Sequence, residues 1–183
     1  MRQLKWPVLS AVLMAGIWHG TAEAQIRPWE VSIAGGPSIP QGDFAEEAGT
    51  GYHVQGSVGM NVPLLPFGVR ADVLWQELQD EESEWFRQIG GALNATFAIP
   101  VPVIEPYALA GVSYMRTEAP DELHVGHTHA GDGENLLGVH AGAGVEFPFM
   151  GLRGFIEGRY LNLLGGDDAK RFQSIPVTVG IRF

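Results

Sequence analysis

Between Phe172 and Phe183 the sequence reads F-Q-S-I-P-V-T-V-G-I-R-F, with Ile175, Val177, Val179, Ile181 and Phe183 alternating with Ser174, Pro176, Thr178, Gly180 and Arg182. Side chains two apart on an extended chain point to the same side, so the segment is a strand with one apolar and one polar or small face. Such a strand fits a half-buried soluble sheet or a membrane barrel equally well. The rest of the chain decides between them.

Upstream, the same period recurs. Trp29, Val31 and Ile33 alternate with Glu30, Ser32 and Ala34 as far as Pro37, and Pro37 to Gly49 reads as a loop from its Pro, Gly and charge. Tyr52 to Asn61 sets Tyr52, Val54, Val58 and Met60 against His53, Gln55, Ser57 and Asn61. Phe67 to Gln76 sets Phe67, Val69, Ala71, Val73 and Trp75 against Gly68, Arg70, Asp72, Leu74 and Gln76. Trp85 to Ile99 is the next strand, after an acidic loop at Glu77 to Glu84. Tyr107 to Arg116 follows, its faces ambiguous because its residues are small. Leu136 to Phe147 opposes Leu137, Val139, Ala141, Ala143, Val145 and Phe147 to Gly138, His140, Gly142, Gly144 and Glu146, and Leu152 to Leu161 carries Glu157 and Arg159 in mid-strand. With Phe172 to Phe183 this predicts about eight strands. Their connections alternate long and short, with Pro63, Pro66, Pro100, Pro102 and Pro148 in the short ones and the longest loop at Thr117 to Asn135. Long loops at one end and short turns at the other are the habit of transmembrane barrels, and strands near ten residues suit a tilted crossing of the hydrocarbon.

The first 24 residues read differently. Arg2 and Lys5 precede an apolar run from Trp6 to Ile17, and Ala22-Glu23-Ala24 supplies a small-residue cleavage site, which predicts a secretory signal peptide over 1–24 and a mature barrel domain over 25–183. A membrane anchor is the alternative, but the run falls short of the roughly 20 residues a spanning helix needs. No cysteine is present, which excludes a disulfide framework, thiol chemistry and a lipidated cysteine. Removing the leader takes the formal charge from -10 to about -11. An acidic chain of this kind is a poor partner for nucleic acid. No later run is long and apolar enough for a transmembrane helix, so a membrane protein made from this chain has to be a barrel.

Period two does not by itself separate a membrane barrel from a soluble up-and-down barrel that binds a small apolar ligand. Three features favour the membrane. Aromatic residues stand near the ends of the apolar rows (Trp29, Tyr52, Phe67, Trp75, Phe147, Tyr160, Phe172 and Phe183) where interfacial girdles belong. Arg70, Asp72, Glu146, Glu157 and Arg159 sit in mid-strand, where they would pair inside a narrow barrel. The secretion signal is the third, together with the terminal phenylalanine.

On these features, and on the V-T-V-G-I-R-F ending at 177–183, the chain resembles the small outer-membrane β-barrels of the OmpA/OmpX type over nearly all of its mature length. The resemblance implies an all-β antiparallel up-and-down transmembrane barrel in the outer membrane of a diderm bacterium, surrounded by outer-membrane lipid and lipopolysaccharide. It also implies that Ile175, Val177, Val179, Ile181 and Phe183 form the signal read by the barrel-assembly machinery. No peptidoglycan-binding domain is expected after the barrel. Families of this kind include structural, adhesive, immune-evading and enzymatic members, so the fold leaves the activity open.

Eight strands enclose a space that side chains fill, which argues against transport of large solutes. Arg70, Asp72, His140, Glu146, Glu157 and Arg159 are therefore expected to form an inward polar core, with a narrow ion path or small-solute carrier as the alternative. His124, His127 and His129, flanked by Asp121, Glu122, Asp132 and Glu134, form the one local cluster of metal-ligand types, suited to zinc, copper or nickel, although a solvated loop explains them as well. Acidic residues gather in the long connections, where they offer a surface to an extracellular partner and weak sites to Ca or Mg. No cofactor is expected otherwise. No catalytic motif is present: His53 and Ser57 share a face but stand about 13 Å apart along a strand. Lipid A or phospholipid acyl chemistry would need His140 or another His to meet a Ser or carboxylate from a neighbouring strand.

Overall fold

The computed structural model describes residues 29–62, 65–79, 85–99, 101–118, 134–164 and 171–183. The expected signal peptide and the histidines at 124, 127 and 129 lie outside the described residues.

Eight antiparallel strands follow one another round a closed barrel: β1 (Trp29–Gln41), β2 (Gly51–Asn61), β3 (Phe67–Gln79), β4 (Trp85–Ala98), β5 (Glu105–Glu118), β6 (Glu134–Phe149), β7 (Leu152–Leu164) and β8 (Arg171–Arg182). The strand that opened the sequence reading closes the ring. β8 pairs with β7 on one side and with β1 on the other, with Ile33 opposite Ile181 and Ile39 opposite Ile175. Closure pairs every strand on both edges, which is what lets a sheet cross hydrocarbon without unsatisfied backbone groups. No described helix is long and apolar enough to cross a membrane.

The alternation sorts the side chains as period two requires. Val73, Leu93, Val112, Leu137 and Val179 point outward, each more than half exposed, while Arg70, Asp72, Asn94, Glu157 and Thr178 point inward and are buried. A soluble barrel would reverse these faces. An exposed apolar belt right round the molecule is a liability in water and the required surface in lipid.

Several boundaries differ from the sequence expectation. β1 runs on through Pro37 to Gln41, and the supposed loop then holds a one-turn helix, α1 (Phe44–Glu47), reached through Gly42 at φ 61. β3 continues to Gln79, so Glu77 is a strand residue. It points outward yet is buried, because Tyr52 donates to it at 2.8 Å and Arg87 at 2.9 Å from the adjoining strands. Phe172 is not a girdle residue. It faces inward, its ring meeting Phe44 of α1 edge-on at 5.2 Å, because α1 folds over that end of the barrel and gives an inward aromatic an apolar partner. β5, ambiguous in sequence, turns Tyr107, Leu109, Ser113 and Met115 inward.

The interior is tight at its small residues. A Cβ on Gly111 would stand 2.1 Å from the Leu93 carbonyl oxygen and 2.9 Å from His140 Nε2. Neither neighbour has room to yield, since one is backbone and the other is held on Asn94. Gly111→Ala is therefore expected to destabilise the barrel by about 1–3 kcal/mol, the usual range for overpacking, measured by urea unfolding in vesicles; an unchanged midpoint would contradict the packing.

Candidate functional site in the barrel interior

The interior divides into three levels. At the end bearing the long connections, Phe44, Leu74, Leu78, Met115, Leu163 and Phe172 belong to one apolar cluster. Inward positions of six elements converge there, and Leu78 is fully buried.

Below it lies a charged quartet. Arg70 reaches Glu157 with both terminal nitrogens, Nη1 to Oε2 at 2.9 Å and Nη2 to Oε1 at 3.1 Å, the two-pronged geometry that guanidinium and carboxylate favour. Its Nε stands 3.1 Å from Asp72 Oδ1. Arg159 completes the square, with Nη1 2.7 Å from Asp72 Oδ2, Nε on Glu157 and Nη2 on Gln55 at 2.9 Å. Two cations and two anions cancel. All four side chains are nearly solvent-free, and Tyr107 adds a 2.7 Å hydrogen bond to Glu157. Burying one charge alone would be costly, so the neutral count is what makes this level tolerable.

His140 joins through a neutral residue. The Asn94 amide donates to Asp72 Oδ2 and to the Arg70 carbonyl, both at 3.0 Å, which turns its Oδ1 toward His140 Nε2 at 2.6 Å. Since Oδ1 only accepts, His140 carries its proton on Nε2. Glu146 stands apart from the quartet. It belongs to a third level at the end of the short turns, where Arg182 contacts Glu30 and Glu146, and Arg153 lies 2.9 Å from Glu105 and 3.0 Å from Glu146. A pocket opens here, lined by Glu30, Asn61, Glu105, Tyr107, Glu146 and Arg182 among others.

Of the six expected core residues, all are buried. Arg70, Asp72, Glu157 and Arg159 contact one another, His140 touches them through Asn94, and Glu146 serves the mouth. Sequence reading missed Gln55, Asn94, Tyr107 and Arg153 as partners. Gln55 and Asn94 were available as polar positions on alternating strands, and Tyr107 lay on a strand whose faces were ambiguous, but which strand faces which across a barrel is not a sequence signal.

A serine and a histidine do meet, though not the pair considered from the sequence. Ser38 Oγ lies 3.0 Å from His53 Nδ1 and donates its proton to Gln76 Oε1 at 2.9 Å. His53 therefore donates to Ser38 from Nδ1 and accepts from Thr178 Oγ1 at 2.9 Å through Nε2. An activated serine needs the opposite direction, with the imidazole taking the hydroxyl proton. Ser38 is 0% and His53 1% exposed, and the chain continues through Gln76 and Gln88 to Thr117. These are bonds that fasten β1, β2, β3, β4, β5 and β8 to one another. Among the described residues no group of three His, Asp or Glu side chains is placed to hold a metal ion.

A filled eight-strand barrel, apolar outside and ionic within, has solved counterparts. The crystal structure of Neisserial surface protein A superposes with a TM-score of 0.62 at 15% identity, covering 85% of this chain and 96% of that one. The fold is that of the small outer-membrane β-barrels. The outer-membrane enzyme PagL gives a TM-score of 0.54 at 14% identity over 82% of this chain and 97% of its own. The N-terminal β-barrel domain of Pseudomonas aeruginosa OprF gives 0.50 at 18% identity over 84% and 97%. No family model matches the chain, and no curated protein matches it in sequence. At these identities the likeness concerns the fold, and the fold includes an enzyme among its members.

Proposed function

We propose that this chain is an integral outer-membrane barrel of a diderm bacterium with a closed interior, whose role is structural or exerted through its long acidic connections toward an external partner. The observation that carries this reading is the stacking of an apolar cluster directly above a neutral, fully paired quartet. An ion entering from the short-turn end meets Arg70, Glu157 and Arg159 with their charges already matched, and beyond them Leu74, Leu78, Met115 and Leu163 packed among buried hydroxyl and amide groups of Ser38, Gln76, Gln88 and Thr117 that are already bonded to one another. The buried Ser38–His53 pair, with its proton directed away from the serine, favours the same non-catalytic role. Outer-membrane phospholipid and lipopolysaccharide are the surroundings this reading requires, and the barrel-assembly machinery its route of insertion.

Purified protein in planar bilayers is expected to give no discrete current steps, while cells are expected to carry it in the outer-membrane fraction with heat-modifiable gel mobility. Regular single-channel steps would replace the closed interior with a conducting one. Recovery in the soluble fraction would remove the membrane reading altogether.

A further inference from the structure

The three short connections carry no charged residue: 62–66 reads V-P-L-L-P, 99–104 reads I-P-V-P-V-I, and 150–151 is Met-Gly between Phe149 and Leu152. Their described side chains are turned out. Met150 is 90% exposed, Val103 73% and Leu65 58%, and Ile104 and Phe149 are nearly half exposed. Turns that project into water are ordinarily polar, since an exposed apolar cluster costs free energy there. Among the described residues the charged side chains at this end, those of Glu30, Glu105, Glu146, Arg153 and Arg182, are instead drawn into ion pairs within the mouth.

The height of the belt says what covers these turns. Toward the other end the outward rows carry Tyr52, Trp75, Tyr114 and Tyr160, aromatics with a polar atom, as a membrane–water interface selects, with Leu164 beyond Tyr160 on β7. From each of them the strand continues eight residues toward the short turns, to Met60, Phe67, Pro106 and Leu152 respectively. A strand tilted by about 40° advances roughly 2.6 Å per residue along the membrane normal, so eight residues span about 21 Å of an apolar band about 25 Å tall. The strands end before the band does, and the turns supply its remainder. At the lower edge Phe67, Phe97 and Phe149 have no polar atom to hold at an interface, whereas Trp29, opposite Met60, has its indole N–H.

We propose that the three short turns are immersed in the inner leaflet, so that their partner is the phospholipid itself and not periplasmic water or a periplasmic protein. The apolar belt continues from the barrel wall onto the described turn residues, and the charged side chains at this end stay inside the mouth, where they match one another. This rests on the reading of the chain as a membrane barrel, and the test separates the two.

The absence of cysteine makes single-site labelling direct. Nitroxide labels on Met150→Cys, Val103→Cys and, within the belt, Val73→Cys are compared in phosphatidylethanolamine/phosphatidylglycerol vesicles by their collisions with dissolved oxygen and with a water-soluble nickel chelate. The expected result is that all three favour oxygen and lose chelate collisions. Oxygen-dominated collisions at 73 with chelate-dominated collisions at 150 and 103 would overturn the immersion and leave the membrane barrel standing. Chelate-dominated collisions at 73 as well would overturn both.

Discussion

Arg70→Ala is expected to lower the unfolding free energy of the barrel in detergent or vesicles by about 3–5 kcal/mol, the range for removing one partner of a buried ion pair. The loss exceeds that of a cavity because Glu157 then faces Tyr107 and Arg159 with half of its cation partners gone, and Asp72 loses the Nε contact at 3.1 Å. The quartet turns from neutral to net negative in a site that excludes water. A double variant, Arg70→Met with Glu157→Met, leaves Asp72 and Arg159 as a balanced pair at 2.7 Å and is expected to recover part of the loss. Urea midpoints for the wild type, each single variant and the double variant check this. A double variant as damaged as the sum of the two singles would show that the residues do not act as a pair.

Leu93→Arg is expected to cost about 2–4 kcal/mol when the protein unfolds from lipid vesicles, whereas Tyr160→Arg should cost only about 0–1 kcal/mol. Leu93 is 59% exposed near the middle of β4, pointing away from the barrel, and Tyr160 lies at the edge of the apolar row on β7. In water an exposed Leu→Arg change is almost free, so the size of the Leu93 effect reports the solvent that surrounds the barrel. Equal, small effects at both positions would place that surface in water.

Much of the fold was legible before any coordinates because its period is so short. In β3 the row Phe67, Val69, Ala71, Val73 and Trp75 is unbroken, and a slip of one residue would put Arg70 and Asp72 into lipid, so the faces admit a single assignment. Boundaries were less legible. Pro37 and Pro40 look like loop residues, yet β1 carries both, and Glu77 looks like the start of an acidic loop until Tyr52 and Arg87 are seen to close over it. Phe172 misled for a related reason: an aromatic at the end of a strand suits either an interface or a core, and α1, a single turn within a Gly- and Glu-containing segment, decides for the core.

The candidate site was legible as a set and not as an arrangement. Arg70, Asp72, Glu157 and Arg159 are marked by being charged in mid-strand. Their pairing depends on which walls of the barrel face one another, and Arg70 and Glu157 lie 87 residues apart. Glu146 carries the same sequence mark as the quartet and goes to the mouth instead, because it sits near the lower end of β6 beside Arg153 and opposite Glu105. In the hydroxyl and amide chain His53 and Gln76 stood on polar faces, but Ser38 fell in the expected loop, and nothing in the sequence marked which of these groups meet.

The segment from Phe172 to Phe183 divides along the same line. By itself the sequence determined that Ile175, Val177, Val179 and Ile181 share one face and Ser174, Thr178 and Arg182 the other, because side-chain direction along an extended chain is a local property of the backbone. It determined too that one of those faces had to be apolar throughout. The rest of the chain already pointed that apolar face toward lipid and Arg182 inward; only the tertiary structure decided that the strand has partners on both edges in β1 and β7, and that Arg182 reaches Glu30 and Glu146 in the mouth. Those outcomes depend on closing the sheet, which brings residues about 150 positions apart into register through the curvature of all eight strands together.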